Sequence, residues 1–464
     1  MKAFTGGPFI DGPNPLSLRT ISPELNKFGI SELRRVIRVG LLCTFFVLRA
    51  LPRRFTTPST SFSEAAADGL IDAFMRLGPT FVKLGQIIAS SPGIFPAWLT
   101  KPARRCLDEV PAFSAEIVRL TVAEDLGRPI HELFASFEDQ PLSAASIGQV
   151  HACTLLDGRE AVVKVQRPNL RQQMTTDLRV LHSIAQIGQR TTWGQSANLL
   201  GMVADLSALT AKELNPVLEA WNQQRFRDKI WAFGDNSWIT APEVFWDYCG
   251  PRTICMERVH GIPMDQFEEI AIRGVDGELL LRRGAKVWVE AMLMHGPFHG
   301  DMHAGNIWLL QDGRACFLDF GIMGELDEQW RQVVRDLYFT CVFDRDFVRV
   351  AQAYLRVGVF PPDMGTEEEI GESIGNVLSP LLDAGLASVS LGDLITSSVG
   401  LMKEFGGTPP QELMLVGKQL LYIERYTKEL APDYSMITDP FLLSNVFPEA
   451  AEKLRVETGT VFPD

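Results

Sequence analysis

Residues 298–310 read FHGDMHAGNIWLL, and residues 316–322 read CFLDFGI. Asp301, an Asn five positions on (Asn306) and an Asp-Phe-Gly opening at Asp319 thus share one short segment. Gln311-Asp312-Gly313 is a hairpin signal between the short strands expected around NIWLLQ and ACFLDF. A tight loop and a strand end of this kind supply what phosphoryl transfer from a Mg²⁺-nucleotide requires. Asp301 would accept or orient a hydroxyl proton. Asn306 and Asp319 would offer Mg²⁺ the hard oxygen ligands it prefers.

Upstream, AVVKV sets Lys164 in the middle of an apolar strand. A buried Lys is costly unless a phosphate or a carboxylate meets it. Taken singly, each piece has an ordinary structural reading: HGD as a turn, Asp319 as a cap, Lys164 as an edge-strand charge. Their shared order and spacing point instead to a kinase-type nucleotide site.

The totals set bounds around this site. The chain has 464 residues, 46% hydrophobic and 22% charged, with a formal net charge of −13. That composition is globular, and the acidity argues against nucleic acid as a partner. The charge is uneven: residues 1–60 carry nine Lys/Arg against three acidic residues, a net of +6, and the rest carries −19. The stretch VGLLCTFFVL (39–48) is flanked by Arg34, Arg35 and Arg38 before it and by Arg49, Arg53 and Arg54 after it. Ten apolar residues are too few to span a bilayer, where about 20 are needed. Two readings stay open, a helix packed on the core with solvated arginines, and a helix lying on an anionic membrane surface. The opening MKAFTGGPFIDGPNP has no apolar run of a secretory signal, and the seven scattered Cys lack CxxC spacing. A cytoplasmic protein is expected, attached peripherally to the inner face of the membrane if the second reading holds.

The patterning divides the chain into a basic tail and amphipathic helix (1–60), a helical extension (61–112), a small strand-rich lobe (113–258) and a larger helical lobe (259–464). Gly78-Pro79 separates two helices of the extension, and Asp157-Gly158 centres a hairpin in the small lobe. DEVPAFS (108–114) reads as a linker. WITAPEVFWDY and RTICMERV read as strands, and a long helix is expected over about 203–230 with a restart at Pro216.

Four stretches in order, LGPTFVKLGQIIASSPGIFP, LSAASIGQVHACTLLDGREAVVKVQRP, FHGDMHAGN and FLDFGIMGEL, resemble the UbiB/ADCK (aarF-domain) family of atypical kinases across roughly residues 65–440. The resemblance implies an α+β, protein-kinase-like bilobal fold, with a small β-rich N-lobe, a helical C-lobe and a helical N-terminal extension carrying the KxGQ motif. It implies that Asp301, Asn306 and Asp319 are the catalytic-loop Asp, the metal Asn and the DFG Asp. Lys83 and Gln86 of KLGQ would lie over the active site, and Lys164 would hold the phosphates. Of Glu213 and Glu219, the latter is the better partner for Lys164, leaving Glu213 to face Lys83. Ala144, Ala145 and Ser146 belong to an Ala-rich loop in place of GxGxxG, whose Cβ atoms restrict positive φ. Met256, Glu257 and Val259 form the expected hinge against adenine. The implied cofactors are ATP or ADP and Mg²⁺. The implied partners beyond the nucleotide are an anionic membrane surface, a lipid or isoprenoid-quinone precursor, and a protein partner or second copy.

Three features separate the site from a protein kinase. The phosphate loop is Ala-rich, Gly300 stands where an Arg would read activation-loop phosphorylation, and little chain separates Gly321 from the next helix. Phosphorylation of a peptide is therefore not expected. One departure from the family concerns Asn215, where the family pattern Glu-x-Asp reads Glu213-Leu214-Asn215. His299 and His303 are read as orienting the loop. The leading function is an atypical kinase or ATPase acting near the membrane. A small-molecule phosphotransferase of the choline-kinase or aminoglycoside-phosphotransferase kind, and a nucleotide-gated binding module without turnover, are the alternatives.

Overall fold

A computed structural model describes residues 6–52, 61–89, 95–108, 112–196, 198–361, 365–383, 397–400, 402, 411–437 and 439–463. Arg53, Arg54 and the 109–111 part of the expected linker lie outside the described residues. The chain forms two compact units, Met1–Ala220 with Val244–Arg258, and Trp221–Glu243 with Val259–Asp464.

In the first unit, helices α1 (Ile30–Ala50), α2 (Phe62–Leu77) and α3 (Pro79–Ala89) build the extension. Ser61 caps α2 reciprocally with Glu64, which stabilises the first turn. Gly78, at φ 109, ends α2, and Pro79 starts α3 where its missing N–H costs nothing. Two glycines permit close approach: a Cβ on Gly69 would meet the Phe46 carbonyl at 2.5 Å, and one on Gly85 would meet Cys106 Sγ. Phe74, Phe81, Val82 and Ile88 of these helices pack with Leu178 and Leu181.

After α4 (Ala115–Leu126) comes an antiparallel sheet of β1 (Phe134–Phe137), β2 (Ser143–Ala144), β3 (Gly148–Leu155) and β4 (Glu160–Gln166). Beyond β5 (Ile239–Thr240), which belongs to the second unit, β6 (Thr253–Glu257) completes the order β1-β3-β4-β6, with β2 on β3. The β3–β4 hairpin turns at Asp157-Gly158, with Gly158 at φ 90. Helices α5 (Leu170–Gly188), α6 (Leu199–Glu213) and α7 (Pro216–Ile230) follow β4 in sequence. The helix expected over 203–230 is thus two helices, broken at Leu214-Asn215, because Pro216 cannot donate to a continuing helix.

The second unit contains β7 (Gly261–Pro263), α8 (Gly277–Glu290), β8 (Phe298–His299), β9 (Ile307–Leu310), β10 (Ala315–Phe317) and β11 (Met323–Gly324). Its larger sheet runs β5-β10-β9-β7, and β8 pairs with β11. Helices α9 (Glu328–Phe339), α10 (Phe347–Arg356) and α11 (Gln411–Leu430) come later. The core gathers Phe226, Trp288, Phe298, Phe317, Phe320 and Tyr354. WITAPEVFWDY is not one strand: Ile239–Thr240 pairs in parallel with β10, Val244 makes an isolated antiparallel bridge to Met256 of β6, and Trp246–Tyr248 is a 3-10 turn. Pro242 removes a ladder donor there, which keeps the strand short.

Candidate active site

In the second unit the chain turns through Gly300–Asn306 between β8 and β9, so Asp301 and Asn306 are fixed by the strands on either side. His299, fully buried, holds the turn. Its Nε2–H is shared between the carbonyls of Leu318 and Asp319, each at 3.0 Å, and its Nδ1 accepts the Asp301 N–H at 3.2 Å. Burial holds the imidazole pKa below its ordinary value. His303 Nδ1 accepts the Gly305 N–H, tightening the loop from within. Asn306 donates its amide Nδ2 to the Asp301 carbonyl at 3.0 Å, and its own carbonyl accepts Leu318 N–H. The amide oxygen is then the atom Asn306 offers to a ligand.

Asp319 follows β10 with φ 54, a left-handed backbone that a non-glycine residue adopts at a cost. The Asp319 Oδ1 accepts Gly321 N–H at 3.2 Å, and the Asp319 carbonyl is held by His299. Phe320 of the same triplet is fully buried against Phe226 and His299. The surroundings thus fix a strained Asp. An amide oxygen and a carboxylate are hard donors, few enough to leave positions for phosphates and water, which fits Mg²⁺. Among the described residues no three His, Cys, Asp or Glu gather to hold a metal by themselves.

Three residues absent from the sequence reading reach this loop from α11. Lys418 Nζ lies 2.9 Å from Asp301 Oδ1. Gln419, fully buried, donates to the Gly300 carbonyl at 2.6 Å and accepts the Met302 N–H at 2.8 Å. Tyr426 donates its hydroxyl hydrogen to the Met302 carbonyl at 2.7 Å. Gln419 and Tyr426 lie seven residues apart, two helical turns, and so share one face. A Gln at a buried position of an amphipathic helix was the only local sign.

In the first unit, Lys164 on β4 pairs with Glu219 of α7 at 2.6 Å, both largely buried. Lys83 on α3 pairs with Glu213 at the end of α6. Lys164, Glu213 and Glu219 line one small cavity with Ile147 and Gly148. The two glutamates lie on separate helices, Glu213 at the end of α6 and Glu219 in the first turn of α7. Gln86 points elsewhere, donating to the Cys106 carbonyl at 2.9 Å, so α3 does not bring it to the Lys83–Glu213 pair.

The Ala-rich loop is a tight return: Ser143 and Ala144 pair with Val150 and Gln149, and Ala145 N–H donates to the Gly148 carbonyl at 2.8 Å. Neither alanine has a positive φ, and Arg167 donates to the Ala145 carbonyl at 3.1 Å. Ser146 is buried. Met256 and Glu257 end β6 opposite Val162 and Ala161 of β4, whereas Val259 begins the return to the second unit.

Asn215 is a structural device. Its Oδ1 accepts Leu218 N–H, capping α7, while its Nδ2 donates to the Ser17 carbonyl at 2.8 Å and the Arg19 carbonyl at 3.4 Å. An Asp could cap the helix but could not donate to those carbonyls.

Residues 105–354 match the family model of the ABC1 atypical kinase-like domain, and residues 374–435 match the UbiB helical domain. The latter includes α11 with Lys418, Gln419 and Tyr426. An uncharacterized protein of Mycobacterium tuberculosis H37Rv is 38% identical over 414 residues, 89% of this chain and 84% of its own length. The probable protein kinase UbiB of Xanthomonas campestris pv. campestris is 32% identical over 372 residues, 78% of this chain and 66% of its own length. A solved M. tuberculosis protein in complex with erythromycin is 22% identical, with 76% of this chain and 92% of that one covered and a TM-score of 0.47.

Proposed function

Because this chain belongs to the ABC1 atypical kinase-like family, of UbiB type and protein-kinase-like fold, we propose that it binds ATP with Mg²⁺ and moves the γ-phosphoryl group to an acceptor other than a peptide, at or near a membrane. The observation that carries the catalytic part is the loop geometry, in which buried His299 ties Asp301 to a strained Asp319 and Asn306 bonds the Asp301 carbonyl.

In this reading Asn306 and Asp319 would hold Mg²⁺, which when bound offsets the charge of the phosphates. Lys164, kept in place by Glu219, holds phosphate oxygens as a cation. Asp301 accepts or orients the proton of an acceptor hydroxyl or water. Lys418 orients the Asp301 carboxylate and adds positive charge beside it. The segment from Gly321 to the Asp327 cap of α9 is seven residues long, which supports an acceptor smaller than a folded peptide substrate.

The membrane part rests on α1. Its Val39, Leu42 and Cys43 pack on the core, while Leu33, Ile37, Leu41, Phe45 and Leu48 are exposed. These recur every three or four residues and form one stripe. Arg34, Arg38 and Arg49 border it, the pattern of a helix that lies on an anionic surface and draws on a lipid or quinone-precursor pool there. Among the described residues no helix is long and apolar enough to cross a membrane.

The test is Mg²⁺-dependent ATP turnover by purified protein, with and without anionic vesicles, beside Asp319→Asn. Turnover raised by vesicles and abolished in the variant is expected. Tight nucleotide binding without turnover under either condition would replace this reading with a second one, a nucleotide-gated binding module. The engagement of Asp301 by Lys418 is the observation that favours that second reading.

A further inference from the structure

We propose that an arginine-lined cleft in the first unit is a binding site for the phosphate-bearing head group of an anionic lipid. The cleft has a volume of about 660 Å³, within the range of small-molecule sites. It opens where α1, the α2–α3 junction and the start of α5 meet. Arg35, Arg38, Arg76 and Arg167 line it, and no Asp or Glu does among the described residues. In a chain of net charge −13, four guanidiniums without a lining carboxylate are a local reversal of sign.

The four arginines are not equivalent. Arg35 is committed: its guanidinium grips the buried Asp177 and donates to the Leu77 carbonyl at 2.6 Å. That pair anchors α1 to α5 and forms the floor. Arg167 donates to the neutral Ala145 carbonyl and lies 5.4 Å over the Phe113 ring. Arg38 and Arg76 make no hydrogen bond or ion pair among the described residues. Both are exposed and reach the cleft from different helices. Two such guanidiniums can grip one phosphate from two sides, each through paired N–H donors. Asn169, at φ 54, gives α5 no side-chain cap, so the first-turn N–H groups of α5 add donors at the same mouth.

The lipid source follows from α1. Successive residues step about 100° around a helix, which puts Arg38 within about 60° of Leu41. The cleft therefore borders the exposed stripe of Leu41 and Phe45. A head group held by Arg38 and Arg76 would leave its acyl chains along that stripe. A free phosphate compound shares the head-group chemistry but has no use for the stripe.

The experiment needs neither turnover nor nucleotide. Affinity of the full chain is measured, with EDTA present, for pyrophosphate and for phosphatidylcholine vesicles with and without phosphatidic acid. Arg38→Ala/Arg76→Ala is compared with Arg34→Ala/Arg49→Ala, which removes equal charge from α1 outside the cleft. Thermal melting checks that both variants fold. The cleft variant is expected to lose tenfold or more in affinity for phosphatidic acid vesicles, and the control clearly less. Loss confined to pyrophosphate, with vesicle binding intact, would overturn the lipid source in favour of a soluble phosphate compound. Equal loss in both variants, or wild-type protein that prefers neither phosphate probe, would overturn the site itself.

Discussion

At single residues, the molecule separates positions held for chemistry from positions held for structure. Asn215 stands where the family pattern has Asp, and the structure gives the reason: its Nδ2 faces two carbonyl oxygens from the N-terminal segment. Asn215→Asp would set a largely buried carboxylate against those acceptors. A loss of about 1–3 kcal/mol is expected, read by chemical denaturation, with nucleotide affinity unchanged. Lys418 belongs to the other kind. Lys418→Met should lower kcat on the order of tenfold, since the pair is half-exposed and screened, with little change in KM for ATP. Lys418→Arg should recover part of the loss. A kcat that rises instead would make Lys418 a brake on Asp301. The pairing of Lys164 with Glu219 was readable because a Lys in an apolar strand demands an anion. Lys418 was not, since 117 residues separate it from Asp301 and no pattern in one dimension connects them.

Whole elements were legible where local chemistry decides them. Gly78-Pro79 divides α2 from α3, and Asp157-Gly158 turns β3 into β4, because each glycine admits the positive φ its turn requires and Pro79 fixes the first helical φ of α3. WITAPEVFWDY misleads because most of its apolar residues serve burial, and only short pieces of it pair. Gln86 likewise shares a helix face with Lys83, yet Cys106 takes its donor. The catalytic turn also has an element-level pH dependence through His299. Its neutral form donates from Nε2 and accepts at Nδ1, so a second proton would face the Asp301 N–H. The folded pKa lies below the unfolded value of about 6.5. Between the two, the unfolded chain binds the proton and the folded chain does not. Stability from this site is complete above the unfolded pKa and declines as pH falls below it. His299→Gln should flatten that acid limb in denaturation measured from pH 7.5 to 5.5. An unchanged limb would show that other groups set it.

For the whole molecule, an acidic chain has a net positive charge over residues 1–60, the segment that contains α1. That helix uses one face to join the core and leaves a second apolar face exposed, two roles that the sequence alone presented as alternatives. The arrangement predicts attachment by two additive terms, burial of the stripe and attraction of its arginines to anionic lipid. Leu41→Asp/Phe45→Asp changes only exposed side chains, so melting should be unaffected. Vesicle co-sedimentation should be lost at every salt concentration, because the apolar term is gone and two negative charges are added. Arg34→Ala/Arg49→Ala should behave differently, weakening attachment at low salt and converging on wild type as salt screens charge over about 8–10 Å. If the two variants instead respond to salt alike, the stripe does not enter the bilayer, and the basic end is an electrostatic patch alone.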